Sequence, residues 1–163
     1  MPDVIMVVDR VEAVPRRELP AGFSYRAYRA GDRETWTRIH AETHFYDPLP
    51  QALHARQFGD DEDALAARQI FVVNGDGRAV ATATAWFNDP AHGVPGGRVH
   101  WVAVVPAVQR RGIASALLGR VCERFAELGD TAAYLTTDAG NSRAIALYQG
   151  LGFRIADGPG RME

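Results

Sequence analysis

One short stretch of this chain could do chemistry on an oxyanion: Val105-Pro106-Ala107-Val108-Gln109-Arg110-Arg111-Gly112-Ile113-Ala114-Ser115. An apolar run stops at Pro106, the chain turns with Gly112, and helical periodicity follows. The first N–H groups of a helix lack partners within it, and the helix dipole makes that end attractive to anions. Gly112 lets a phosphate approach the backbone closely, Ala114 keeps the approach open, and Arg110 and Arg111 add positive charge. The plainer reading is a polar cap on a surface helix. The GK[ST] ending of a nucleotide-triphosphate loop is missing, which argues against ATP or GTP hydrolysis.

Other side chains offer proton chemistry. Tyr148 falls in a short helical stretch from Asn141 to about Gln149, where a phenol can protonate a leaving group or simply fill a core. His100 shares a strand face with Arg98, Val102 and Val104 by two-residue alternation, and its imidazole titrates near neutrality. It is a candidate base, a structural or substrate-lining side chain, or an exposed one. Water relayed to backbone carbonyls competes with it for the proton. His40 and His44 lie four apart on one helix face, and His54 or Glu42 could join them as a ligand set. That spacing is weak evidence for a metal, no HExxH is present, and no metal is expected. Cys122 lies on an apolar helix stripe and reads as a small core residue.

These groups need a frame, and hydrophobic periodicity supplies one. Val4–Val8 reads as a strand, and residues 10–22, with Pro15 and Pro20, as an extended connector. Phe23–Arg29 alternates like a strand with one wet face, and Asp32 is a plausible N-cap for a helix running to Thr43 or His44. A second helix over Gln51–Phe58 precedes the acidic run Asp60–Asp63, a solvated helix or loop. Gln69–Val73, the turn Asn74-Gly75-Asp76-Gly77 and Ala79–Phe87 form an antiparallel hairpin. Arg98–Val105 is a strand; Arg110–Leu128 is a long helix with Ile113, Leu117, Val121 and Phe125 on one stripe. Ala132–Thr137, the Asn141–Gln149 helix and a strand from Phe153 complete the order. The pattern predicts an α/β chain with a mixed sheet and helices on both faces, and the hairpin disfavours a dinucleotide-binding fold.

Composition narrows the classes. With 163 residues, 47% of them hydrophobic, the chain can bury a core as one domain, with residues 1–22 as an arm and 23–163 as the domain proper. Lys plus Arg total 18 against 20 Asp plus Glu, a balance that does not favour a nucleic-acid binder. A single cysteine excludes an internal disulfide. No apolar run is long enough for a membrane helix and no secretory leader is visible, so a cytoplasmic address is expected.

Gln109-Arg110-Arg111-Gly112-Ile113-Ala114 resembles the Q/R-x-x-G-x-G/A signature of the GCN5-related N-acetyltransferases (GNAT), placed after a strand ending in Val104-Val105-Pro106. Asn141, Ala144, Tyr148, Gly152 and Phe153 resemble that family's second pattern, N-x-x-A-x-x-x-Y-x-x-x-G-F. The resemblance spans residues 23–155. Leu19-Pro20-Ala21-Gly22 and Gly31-Asp32 look loosely like the mycothiol-synthase branch, whose substrate is not carried over.

The resemblance implies a central mixed, mostly antiparallel twisted sheet, splayed between two parallel strands. It implies acetyl-CoA as donor and a primary amine, small-molecule or peptide, as acceptor. The pyrophosphate would sit on the N–H groups of Arg110–Ser115, and the pantetheine arm along Val102, Ala103, Val104 and Val105. Asn141 and Ala144 would support that arm, and Tyr148 would act on the leaving thiolate. Ala114 replaces the commoner glycine, a change that narrows the nest slightly. The family often uses a Glu from the Arg98–Val105 strand as base; this chain has none there, leaving His100. The acceptor pocket would draw on Trp36, His40, His44, Phe45, Tyr46 and Asp47. The missing Glu favours a second class, a CoA-binding or ligand-sensing module with little catalysis. A homodimer is left open.

The family's fold usually closes with two C-terminal strands, and the glycines and proline of residues 157–163 are poor strand material. Val4–Val8 is a surplus strand, and the twelve residues from Asp9 to Pro20 can reach about 40 Å. The expectation is that Val4–Val8 takes the vacant place beside Ala132–Thr137, in its own molecule or in a partner subunit; pairing beside Ile70–Val73 or Tyr25–Arg29, or lying loose, is the alternative.

Overall fold

β-Branched residues suit a pleated, buried surface, and the run near the N-terminus forms strand β1, Asp3–Val8, with Met6, Val7 and Val8 buried. The structure, a computed structural model, describes residues 2–43, 49 and 52–156. The further elements are β2 (Ser24–Ala27), α1 (Asp32–Thr43), α2 (Leu53–Phe58), α3 (Glu62–Arg68), β3 (Gln69–Val73), β4 (Ala79–Trp86), β5 (Gly97–Val104), α4 (Ile113–Glu127), β6 (Ala133–Asp138), α5 (Ser142–Gly150) and β7 (Arg154–Ile155). The strands form a seven-stranded mixed sheet in the order β2-β3-β4-β5-β6-β1-β7. β5 and β6 are parallel, in register at Gly97↔Ala133 and Arg98↔Tyr134. Contacts divide the chain into two units.

One unit comprises Met1–Arg17, Ala85–His100 and Gly119–Glu163. Here β1 runs antiparallel to β6 from Asp3↔Asp138 to Val8↔Ala133. On its other side it pairs with β7 at Met6↔Ile155 and Val7↔Arg154. β1 thus takes the place beside β6 expected from the sequence, within its own chain. The connector that follows is not the extended tether expected. Val11–Ala13 form a 3-10 turn, Val11 and Val14 are buried, and the Val11 N–H donates to the Thr131 carbonyl at 2.7 Å. The two valines, three apart, give the turn an apolar side that water does not hold.

The other unit comprises Glu18–Thr84 and Trp101–Leu118. β2, β3 and β4 are an antiparallel meander. Asn74 closes the hairpin, its Oδ1 accepting the N–H groups of Asp76 and Arg78, each at 3.0 Å. Asp32 opens α1, and its carboxylate meets the Thr35 side chain in the first turn rather than capping that turn's backbone N–H groups. It accepts from the Arg29 N–H at 2.8 Å and from the Arg26 guanidinium at 2.6 and 3.1 Å. A buried polar chain runs through this unit. Arg33 donates to His54 Nδ1 at 2.8 Å, His54 Nε2 meets Gln69 Oε1 at 3.0 Å, and Gln69 Nε2 donates to Thr84 Oγ1 at 2.9 Å. Arginine only donates, so Nδ1 accepts, Nε2 carries the proton and His54 is neutral. Burial pushes its pKa in the same direction.

α4 begins at Ile113, three residues later than the periodicity suggested. Arg110 (φ +66°) and Gly112 (φ +86°) are left-handed, a conformation no right-handed helix admits. Ile113, Leu117, Val121 and Phe125 are buried as the stripe required. Burial pushes the Cys122 thiol up to about 12, so it stays protonated.

Candidate active site

The turn before α4 is built from the strand end upward. Pro106–Val108 form a 3-10 turn, and Gln109 Nε2 donates back to the Val104 carbonyl at 2.9 Å, fixing the turn to β5. Among the described residues, the six N–H groups from Arg110 to Ser115 have no backbone acceptor. Left-handed residues at Arg110 and Gly112 bend the backbone into the kind of concavity that gathers N–H groups around an anion. A Cβ on Gly112 would meet nothing within 4 Å, so the space over the turn is open. Arg110 and Arg111 are exposed beside it, while Ile113 is buried and anchors the helix; Ala114 and Ser115 are half-buried. This donor set fits the pyrophosphate of a CoA ester. On β5, Ala103 and Val105 are buried and Val102 and Val104 half-buried.

Tyr148, in α5, is 9% exposed and packs edge-on to Phe153, ring centroids 6.3 Å apart. Burial raises its pKa, so the phenol is protonated at neutral pH, the form an acid needs. Asn141 caps α5, its Oδ1 accepting the Ala144 N–H at 3.1 Å.

His100 is 5% exposed. Burial, then the charges of Arg98 and His92, push its pKa down to about 3. It is therefore neutral in the working range but has little affinity for a proton, which weighs against it as the base. Nor does the expected alternation hold along β5. Val99 and His100 are both buried, and Trp101 and Val102 both half-buried. The cause is Trp101, whose φ of +57° inserts a left-handed residue and reverses the phase of the strand, so His100 does not share a simple face with Val102 and Val104. A bulky residue there is strained; the Trp101 indole N–H donates to Gln57 Oε1 at 3.0 Å.

The expected acceptor pocket is corrected in part. Trp36 and His40 are buried at 0% and 1% exposure and belong to the core. Trp36 packs against His40, His54, Phe58 and Trp101, at centroid distances of 4.2 to 5.6 Å. The ring area they bury against one another holds them in the core. His44, Phe45, Tyr46 and Asp47 lie outside the described residues.

Three side chains escaped the sequence reading as a group: Asp89, His92 and Tyr134. Tyr134 Oη accepts the Asp89 N–H at 2.9 Å and lies 3.0 Å from His92 Nδ1. Asp89 Oδ1 in turn accepts the Ala91 N–H at 3.0 Å. A buried tyrosine on β6 thus ties down the segment before β5.

Residues 32–153 match the model of the acetyltransferase (GNAT) family. The chain belongs to that family of acetyltransferases. It is 28% identical over 168 residues to a mycothiol acetyltransferase of Nocardioides sp., a match covering 94% of this chain and 57% of the relative. The chain spans about half the length of the curated relatives it matches. The GCN5-related N-acetyltransferase of Sphaerobacter thermophilus shares the fold at a TM-score of 0.78 and 22% identity, over 94% of this chain and 48% of that one. A third similar protein, AAC(6')-Iy in complex with the bisubstrate analog CoA-S-monomethyl-acetylneamine, aligns at a TM-score of 0.60 and 21% identity, over 81% of this chain and 90% of that one. No described helix of this GNAT chain is long and apolar enough to cross a membrane.

Proposed function

We propose that this chain transfers acetyl from acetyl-CoA to a primary amine within a ternary complex. The observation that carries the reading is the run of six backbone N–H groups without backbone acceptors around two left-handed residues, Arg110 and Gly112. Acetyl-CoA supplies a thioester whose C–S bond breaks as the amine nitrogen bonds to the carbonyl carbon, giving an amide and the CoA thiol. The Arg110–Ser115 turn holds the pyrophosphate. Val102–Val105 offer an edge for the pantetheine arm, and Asn141 and Ala144 shape the helix start that supports it. Tyr148 gives its phenolic proton to the departing sulfur; the attacking nitrogen loses a proton as the amide forms, and that proton, passed through water, restores the phenol. Before attack, the ammonium of the acceptor loses one proton to water relayed to backbone carbonyls.

The acceptor is read as a small primary amine, in keeping with relatives named mycothiol acetyltransferases. Residues 23–163 act as one catalytic domain, with residues 1–22 supplying an integral strand, in the cytoplasm. A panel of primary amines, assayed for thioester consumption and for the mass of the acetylated product, tests the reading. Turnover of at least one amine supports it. CoA binding with no turnover across the panel would assign the chain to CoA binding or sensing.

A further inference from the structure

Among the described residues other than glycine, Ala52, Trp101 and Arg110 have left-handed backbones, and of these only Trp101 lies inside a strand. Ala52 precedes α2 and Arg110 stands in an exposed turn, places that tolerate the conformation. In mid-strand a bulky side chain makes it costly, and an extended backbone is the relaxed alternative. Trp101 keeps the strained form, so its side chain must be held.

The hold comes from within its own unit. Trp36 and His40 of α1 meet the indole edge-on, with ring centroids at 5.5 and 5.3 Å. Such contacts leave a ring some freedom to slide, whereas a hydrogen bond is directional. That directional contact is the bond from the indole N–H to Gln57 Oε1 at 3.0 Å. Gln57 is half-buried on α2, a helix that is itself anchored. Its His54 joins Arg33 and Gln69, and its Phe58 packs edge-on to Trp36 at 5.6 Å.

The far end of the same stretch of β5 is also pinned. The Val105 N–H donates to the Val80 carbonyl at 2.9 Å, and the Val104 carbonyl accepts from Gln109 Nε2 at 2.9 Å. Between the two fixed points lie Val102, Ala103 and Val104. The backbone groups of a strand alternate between its edges, and one left-handed residue changes the edge that the following groups face.

We propose that Gln57 is a positioning residue: it holds Trp101 left-handed and thereby aims the backbone N–H and C=O groups of Val102–Val104 at the pantetheine arm of CoA. The identity of that ligand rests on the acetyl-transfer reading. Gln57 touches neither the ligand nor the reacting atoms; it acts through the indole.

The test compares two ligands by calorimetric titration: CoA, and 3′-phosphoadenosine 5′-diphosphate, which is CoA without pantetheine. Gln57→Leu removes the acceptor and should weaken CoA by about fivefold or more, the worth of one hydrogen bond, while the nucleotide stays within about twofold. Gln57→Glu keeps an acceptor oxygen and should bind both ligands within about twofold of the wild type. Trp101→Phe keeps a ring and removes the N–H; it should show the same split between ligands and serves if Gln57→Leu does not fold. An equal loss for both ligands is general damage and overturns the positioning role, as does unchanged CoA affinity or a Gln57→Glu variant as weak as Gln57→Leu. Wild-type protein that binds neither ligand brings down the acetyl-transfer reading and the role together, a result distinct from tight CoA binding that Gln57→Leu leaves untouched.

Discussion

The carbonyl oxygen of Pro15 stands where a side chain on Gly119 would begin: a Cβ there would lie 2.6 Å from it. The N-terminal connector therefore lies on α4 at van der Waals range, and Arg16 completes the contact with an ion pair to Glu123 at 2.9 Å. Gly→Ala inside a helix ordinarily stabilises, by roughly 0.5–1 kcal/mol. Here the sign is expected to reverse, with Gly119→Ala destabilising by about 1–3 kcal/mol through overpacking. Urea denaturation of the variant checks this, and an unchanged or raised midpoint would mean that the connector yields freely. Deleting residues 1–10 should cost several kcal/mol, because β6 and β7 both lose their partner.

Gly112→Asp should weaken CoA binding by about tenfold or more, since φ +86° strains an L-residue and the new carboxylate opposes the pyrophosphate. The fold should persist, because a Cβ there touches nothing within 4 Å. Calorimetric titration with CoA gives the answer; wild-type affinity in the folded variant removes the turn from the cofactor site.

Tyr148→Phe should lower kcat much more than it raises KM for acetyl-CoA, as the hydroxyl counts most when negative charge grows on sulfur. The ring's packing on Phe153 survives the change, so stability should hold. Wild-type kcat under conditions where chemistry limits the rate would exclude Tyr148 as the acid.

His100 makes a prediction about stability as well as rate. Its folded pKa, about 3, lies below the ordinary histidine value of 6.5. Between those values the unfolded chain binds more protons, so stability rises with pH there; its full contribution is present above about pH 6.5 and is lost as pH falls toward 3, by up to about 1.4 kcal/mol per pH unit. His100→Gln should flatten that slope in denaturation curves taken from pH 4 to 7. It should also leave any limb of kcat/KM between pH 5 and 8 where it was, and a limb that moves would restore His100 as the base.

Most of the elements were legible because their apolar spacing leaves one solution. Ile113, Leu117, Val121 and Phe125 can be buried together only on a helix, and Asn74–Gly77 can close only a tight hairpin. The place of β1 was legible by subtraction, from a strand too many at one end and too few at the other. What the sequence hid is tertiary. Nothing in the string says that Trp101 adopts a positive φ, so the two-residue alternation carried His100 to the wrong face. The family resemblance put His40 in a pocket, whereas its packing against Trp36 and Trp101 sets it in the core. The triplet Asp89, His92 and Tyr134 joins residues more than forty positions apart, a separation at which no local pattern exists.

The position of β1 between β6 and β7 also sets an order of events during synthesis. Val4–Val8 leave the ribosome before the strands they pair with, which emerge only after roughly 120 further residues, about 6–25 s later at ordinary elongation rates. Throughout that interval an apolar, β-branched segment with both edges open trails from the nascent chain, the kind of segment that invites pairing with a neighbour on the same message. The late arrival of its partners means that β1, made long before β6 and β7, must wait to be placed until they exist.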